Sequence, residues 1–98
     1  MGRTTEAQIG KAVLQILKAQ PTGEASILTL KRELPKYLNL TADDRAPSPT
    51  RKGEEVWEQQ VRNLVSHRGT AGNIVAEGYA TYRPRWLKIT AAGLKRVS

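Results

Sequence analysis

Glu55, Gln59, Arg62, Asn63 and Ser66 form a cluster whose chemistry is recognition rather than bond making. Gln, Arg and Asn carry paired donors and acceptors that match the edges of bases in a DNA major groove. Glu55 can accept from a cytosine amino group. At roughly 100° per residue, Glu55, Gln59, Arg62 and Ser66 project from one side of a helix, with Asn63 flanking them. An ordinary solvated helix exterior is the alternative reading of the same residues.

The helix that must carry this face runs over Glu54–Arg68, EEVWEQQVRNLVSHR. Trp57, Val61, Leu64, Val65 and Arg68 recur at helical spacing on its other side, so the spacing predicts an inward stripe with Trp57 in the core. Glu54 and Glu55 suit the positive end of the helix dipole but would repel a phosphate arriving there.

The chain has 98 residues, enough for one domain over 1–98 and too few for a second core. Sixteen Lys and Arg against nine Asp and Glu leave a net charge of +7, which implies a polyanionic partner. From Tyr79 onward there are five cations (Arg83, Arg85, Lys88, Lys95 and Arg96) and no acid. With no cysteine there are no disulfides and no thiolate metal sites. No run of roughly eighteen apolar residues spans a membrane, and the N-terminus lacks the apolar core of a signal peptide. A cytoplasmic protein without membrane attachment is expected.

Taken in order, Thr5 and Gln8 make a capping box for a first helix, Thr5–Ala19, with Ile9, Val13, Ile16 and Leu17 as its stripe. Pro21 and Gly23 end it. Ile27 and Leu28 form a brief strand or an extended connection. Thr29 is then the expected N-cap of a second helix with Leu30, Leu34, Tyr37 and Leu38 inward, interrupted at Pro35. Thr41 and Asp44 can cap one helical turn. Arg45–Gly53 reads as a mobile basic connection, with Arg51 and Lys52 placed to meet phosphates.

Two glycines break the third helix after Arg68. Residues 73–82 and 86–90 then read as two strands joined around Arg83, Pro84 and Arg85. Leu87 and Ile89 are the inward pair, which leaves Trp86 beside Lys88 on the outer face or at the hairpin tip. Thr90 caps a short terminal helix. Three helices and a two-stranded β-hairpin make an α+β fold of the winged-helix type, a helix-turn-helix variant.

The stretches AVLQILKA, LKREL, LTADD, the tryptophan followed by VRNLVSH, GNIVAEG and WLKITAAG together resemble the N-terminal winged-helix domain of Mrr-type restriction endonucleases. The resemblance runs from about Gln8 to Val97. It implies double-stranded DNA binding by the third helix and the wing, on behalf of a nuclease elsewhere in a larger polypeptide. The chain is also similar to winged-helix modules of HNH nucleases, some of which read methylated adenine. That likeness lies in SHR after the third helix and in the aromatic-rich wing.

The phosphate candidates are Arg51, Lys52, Arg83, Arg85 and Lys88; Tyr82 and Trp86 are candidates for stacking on a base. Trp86 alternatively covers the outer face of the sheet. His67, the one histidine, lacks a cysteine or acid pair with which to bind metal, so no metal or cofactor is expected. No nuclease carboxylate–lysine set, phosphate loop or nucleophile elbow is present, so catalysis is not expected in this chain. A protein-interaction or dimerisation module is the reading from another class.

Overall fold

The structure, a computed structural model, describes residues 3–50 and 52–98. Its first helix, α1, spans Glu6–Ala19. Thr5 caps it: the Thr5 hydroxyl accepts from the Gln8 backbone N–H at 3.2 Å, and the Gln8 side chain accepts from the Thr5 N–H at 2.8 Å. Pro21 disfavours helical backbone at the residue before it, and Gln20 is accordingly extended. Ile9, Val13, Ile16 and Leu17 are buried as their spacing predicts, and Ala12 and Leu14 join them. Helix α1 is thus covered on more than one side and forms the axis of the core.

Strand β1 (Glu24–Ser26) and helix α2 (Ile27–Glu33) follow. Here the structure departs from expectation. The extended piece ends before Ile27, and Ser26 rather than Thr29 is the N-cap, its hydroxyl accepting from the Thr29 N–H at 3.1 Å. Pairing with a later strand pulls the extended piece toward the N-terminus, and Ser26 is the first residue free to cap. Proline at 35 halts the α-helix at Glu33, and a single 3-10 turn continues over Leu34–Lys36. Leu30 and Leu34 are fully buried and Leu38 is half-buried, but Tyr37 is exposed because the 3-10 turn changes the angular step.

Helix α3 is one turn, Ala42–Arg45, capped by Thr41. Its Asp44 is fully buried and turned away from Asp43, which is exposed. Asp44 accepts from the N–H and hydroxyl of Thr4 at 2.6 and 2.8 Å, and from those of Thr41 at 2.9 and 3.3 Å. Burial by itself raises its pKa. The backbone N–H groups of Thr41 and Thr4, helped by their hydroxyls, outweigh that and hold it below the ordinary 3.8.

Helix α4, Val56–Ser66, starts from Glu55 as N-cap. Trp57, Val61 and Leu64 are buried against α1 as their spacing predicts, but the helix is shorter than the expected Glu54–Arg68, Val65 is only half-buried, and Arg68, beyond its end, is exposed. The loop leading into α4 closes on itself: Val56 N–H donates to the Ala46 carbonyl at 2.9 Å and Ser48 N–H to the Glu54 carbonyl at 2.8 Å.

Residues after α4 do not form the long strand expected over 73–82. Asn73 is buried, donates to the Leu64 carbonyl at 2.8 Å and accepts from the Val75 N–H at 2.9 Å. Those bonds curl the chain into turns, and strand β2 begins only at Ala80, running to Arg83. Strand β3 is Trp86–Ile89. The sheet has three antiparallel strands in the order β1-β3-β2, one more than a bare hairpin. Ala25, Leu87 and Tyr82 align across it on the core side; Ser26, Trp86 and Arg83 align on the outer side.

Helix α5, Ala91–Arg96, is capped by Thr90, whose hydroxyl accepts from the Gly93 N–H at 3.1 Å. Gly93 packs so closely on the Tyr79 carbonyl that a side chain there would collide with it. The described residues form an α+β assembly of five α-helices and one 3-10 turn packed with a three-stranded sheet around one core. Among the described residues no helix is long and apolar enough to cross a membrane.

Candidate nucleic-acid interface

The outward side of α4 is less uniform than its helical projection suggests. Arg62 and Ser66 are exposed, whereas Glu55, Gln59 and Asn63 are half-buried and engaged within the protein. Glu55 does not join the outer face. As N-cap it accepts from the Trp57 indole N–H at 2.8 Å, and its own N–H donates to the Glu58 carboxylate at 3.1 Å. Gln59 accepts from the Ser48 hydroxyl at 2.8 Å, because the closed loop folds over the first turns of α4. Asn63 leans the other way and donates to Gln60 at 3.2 Å.

Arg62 holds the centre of this surface. Its Nε–H donates to both oxygens of Glu54, at 2.8 and 3.0 Å. Lys31, from α2, donates to the same carboxylate at 3.0 Å and stands 3.8 Å from Glu58. The hydrogen bond from Arg62, with Lys31 adding to it, outweighs desolvation and holds the Glu54 carboxyl at about 2, far below its ordinary 4.5. Glu54 is nearly buried, at 12% side-chain exposure, while Arg62 is 44% exposed. The carboxylate expected to repel phosphate is therefore neutralised by two cations. The sequence does not signal Lys31, because its partner lies 23 positions away with no local spacing to link them.

The hairpin presents a second group of cations. Its two-residue turn, Pro84–Arg85, places Arg85 at φ 71°, a left-handed conformation that non-glycine residues enter at a cost. The Arg85 carbonyl accepts from the Ile27 N–H at 2.9 Å, so the hairpin tip rests on the first turn of α2. Among the described residues no carboxylate lies within 4.0 Å of the Arg85, Lys88 or Lys52 side chains, and all three are exposed. Arg83 differs. Glu24 of β1 pairs with it at 3.3 Å, and its guanidinium lies 5.0 Å from the centroid of the Trp86 ring. The sequence shows no acid in the wing, but the third strand brings one from far upstream. Arg51 lies outside the described residues.

Tyr82 and Trp86 do not come together. Register puts Tyr82 opposite Leu87 on the core side and Trp86 opposite Arg83 on the outer side. Arg68 lies over the Tyr82 ring at 4.4 Å, joining β2 to the chain just beyond α4. The two rings cannot form one aromatic cage on this sheet. Only Trp86, half-buried under Arg83, offers part of a face outward.

Ile27 and Lys31 are one helical turn apart on α2, about 6 Å of rise. One touches the hairpin tip and the other the Glu54–Arg62 pair. The cationic tip and the outer face of α4 are thereby fixed to opposite ends of one short helix. Among the described residues no group of three or more His, Cys, Asp or Glu side chains could hold a metal ion. Comparisons of this chain with protein-family models, curated proteins and solved structures find no match.

Proposed function

We propose that the chain is a winged-helix domain that binds double-stranded DNA, with α4 in the major groove and the β2–β3 hairpin on the backbone. The observation that carries this reading is the exposed Arg62 on α4, joined through α2 to a hairpin whose Arg85, at the tip, and Lys88, on β3, have no carboxylate within 4.0 Å among the described residues. Arg62, Ser66 and the Gln59 amide nitrogen, which has no protein partner among the described residues, are the base-reading groups; Lys52, Arg85 and Lys88 are the phosphate-reading groups. The likeness to Mrr-type domains in AVLQILKA, VRNLVSH and WLKITAAG supports a role as the target-recognition part of a restriction-type nuclease. In that role another segment cleaves, and this chain supplies register and sequence.

A gel-shift titration of mixed-sequence duplex at two salt concentrations tests it. Arg85→Ala with Lys88→Ala is expected to weaken binding to all sequences alike. It should also flatten the slope of log K against log salt by nearly two, about 0.9 per lost phosphate contact. No retardation of any duplex at low salt would remove the reading. The protein-interaction alternative would then gain, and Leu28, 77% exposed on α2 next to the hairpin tip, is the observation in its favour. Reading of methylated adenine has less support, since Tyr82 and Trp86 lie on opposite faces of the sheet.

A further inference from the structure

We infer that Glu54 is a positioning residue that sets Arg62 to read a guanine. The inference rests on the DNA-binding reading above and deepens it. An arginine in a purely structural ion pair commonly meets its carboxylate with two parallel N–H bonds. Here only the Nε–H is engaged, shared between the two Glu54 oxygens. Both terminal nitrogens of Arg62 are left without a protein partner among the described residues. Because the guanidinium is planar, holding one edge fixes the plane of the other. Two terminal N–H groups side by side are the donor pair that meets guanine O6 and N7.

Glu54 is itself well held, as a positioning group must be. Lys31 fixes its carboxylate at 3.0 Å, its carbonyl accepts from the Ser48 N–H at 2.8 Å, and its side chain is nearly buried. The support is ordered before any ligand arrives, which reduces the conformational freedom lost on binding. A carboxylate in this place lowers the net positive charge of the surface. Its benefit is therefore direction rather than attraction, and affinity and selectivity should separate when it is removed.

The experiment selects preferred sites for the wild-type protein from a random-sequence duplex pool, then replaces each recovered guanine in turn with 7-deazaguanine, which lacks N7. One replacement is expected to weaken wild-type binding about tenfold. In Glu54→Gln that penalty should fall below about twofold, while affinity for unselected duplex stays equal or rises. Arg62→Lys keeps the charge but not the paired donors, so it should lose the same preference, and the double variant should lose no more than either single one. Circular dichroism checks that the variants fold, and Arg62→Lys, altered at an exposed side chain, stands in should Glu54→Gln not.

A tenfold guanine penalty retained in Glu54→Gln would overturn the inference. So would a uniform gain in affinity with selectivity unchanged, since Glu54 would then only screen Arg62. Wild-type binding that ignores 7-deazaguanine everywhere, or a penalty that persists in Arg62→Lys, would overturn it while leaving DNA binding standing. Failure of the wild type to bind any duplex would overturn both readings.

Discussion

Asp44 and Glu54 are two carboxylates held below their ordinary pKa by opposite means. Asp44 is fully buried and accepts from neutral donors of Thr4 and Thr41, and among the described residues no cation pairs with it. Glu54 sits at the edge of the surface between Lys31 and Arg62. The first arrangement ties the segment before α1 to α3 and reaches no ligand. The second leaves both terminal nitrogens of the partly exposed Arg62 without a protein partner among the described residues. A hydrogen-bonded carboxylate among hydroxyls and amides is a fastening, whereas one between exposed cations can orient them.

The largest expected effect lies at the fastening. Asp44→Ala leaves the N–H groups of Thr4 and Thr41 without their acceptor in a buried place, and should lower stability by about 3 kcal/mol in urea unfolding. Loss below about 1 kcal/mol would show that water replaces the carboxylate freely and would blur the contrast with Glu54.

Acid separates the two next. The folded-state pKa of Glu54 is depressed, so its contribution is present above its ordinary 4.5 and is lost as pH falls toward about 2. That interval corresponds to roughly 3 kcal/mol at most, which screening at the exposed Arg62 reduces to about 2. Thermal melts of wild type and Glu54→Gln between pH 2 and 5 should converge at the acid end and diverge above it. Parallel curves would mean that the ion pair contributes nothing to the fold. Smallest is the hairpin tip: Arg85→Gly relieves the left-handed backbone and should stabilise by about 1 kcal/mol while weakening duplex binding. Stabilisation without loss of binding would take Arg85 out of the interface.

Features set by near neighbours were legible in the amino-acid sequence. The Thr5–Gln8 capping box, the stripe of α1, the break at Pro35, the caps at Thr41 and Thr90, and the inward Leu87 and Ile89 all depend on spacings of a few residues. Features made by distant partners were not. Strand β1 becomes a strand because Ala25 pairs with Leu87, and Asn73 bends the chain because the Leu64 carbonyl is within reach. In the local pattern Glu54 is a plain helix-start acid, and neither Lys31 nor the return of the chain over Gln59 shows there. The separation of Tyr82 from Trp86 was within reach: a two-residue turn at Pro84–Arg85 pairs Arg83 with Trp86, and alternation then sends Tyr82 inward. The basic wing was legible as composition, but Glu24 arrives from a strand that local reading did not place.

The bond from Ile27 N–H to the Arg85 carbonyl makes one amide proton a clock for the hairpin. Its exchange with deuterium can proceed only when the tip lifts from α2, so its rate counts those excursions. A duplex clamped across α4 and the tip would slow that clock, while one held by α4 alone would leave it running at the free rate.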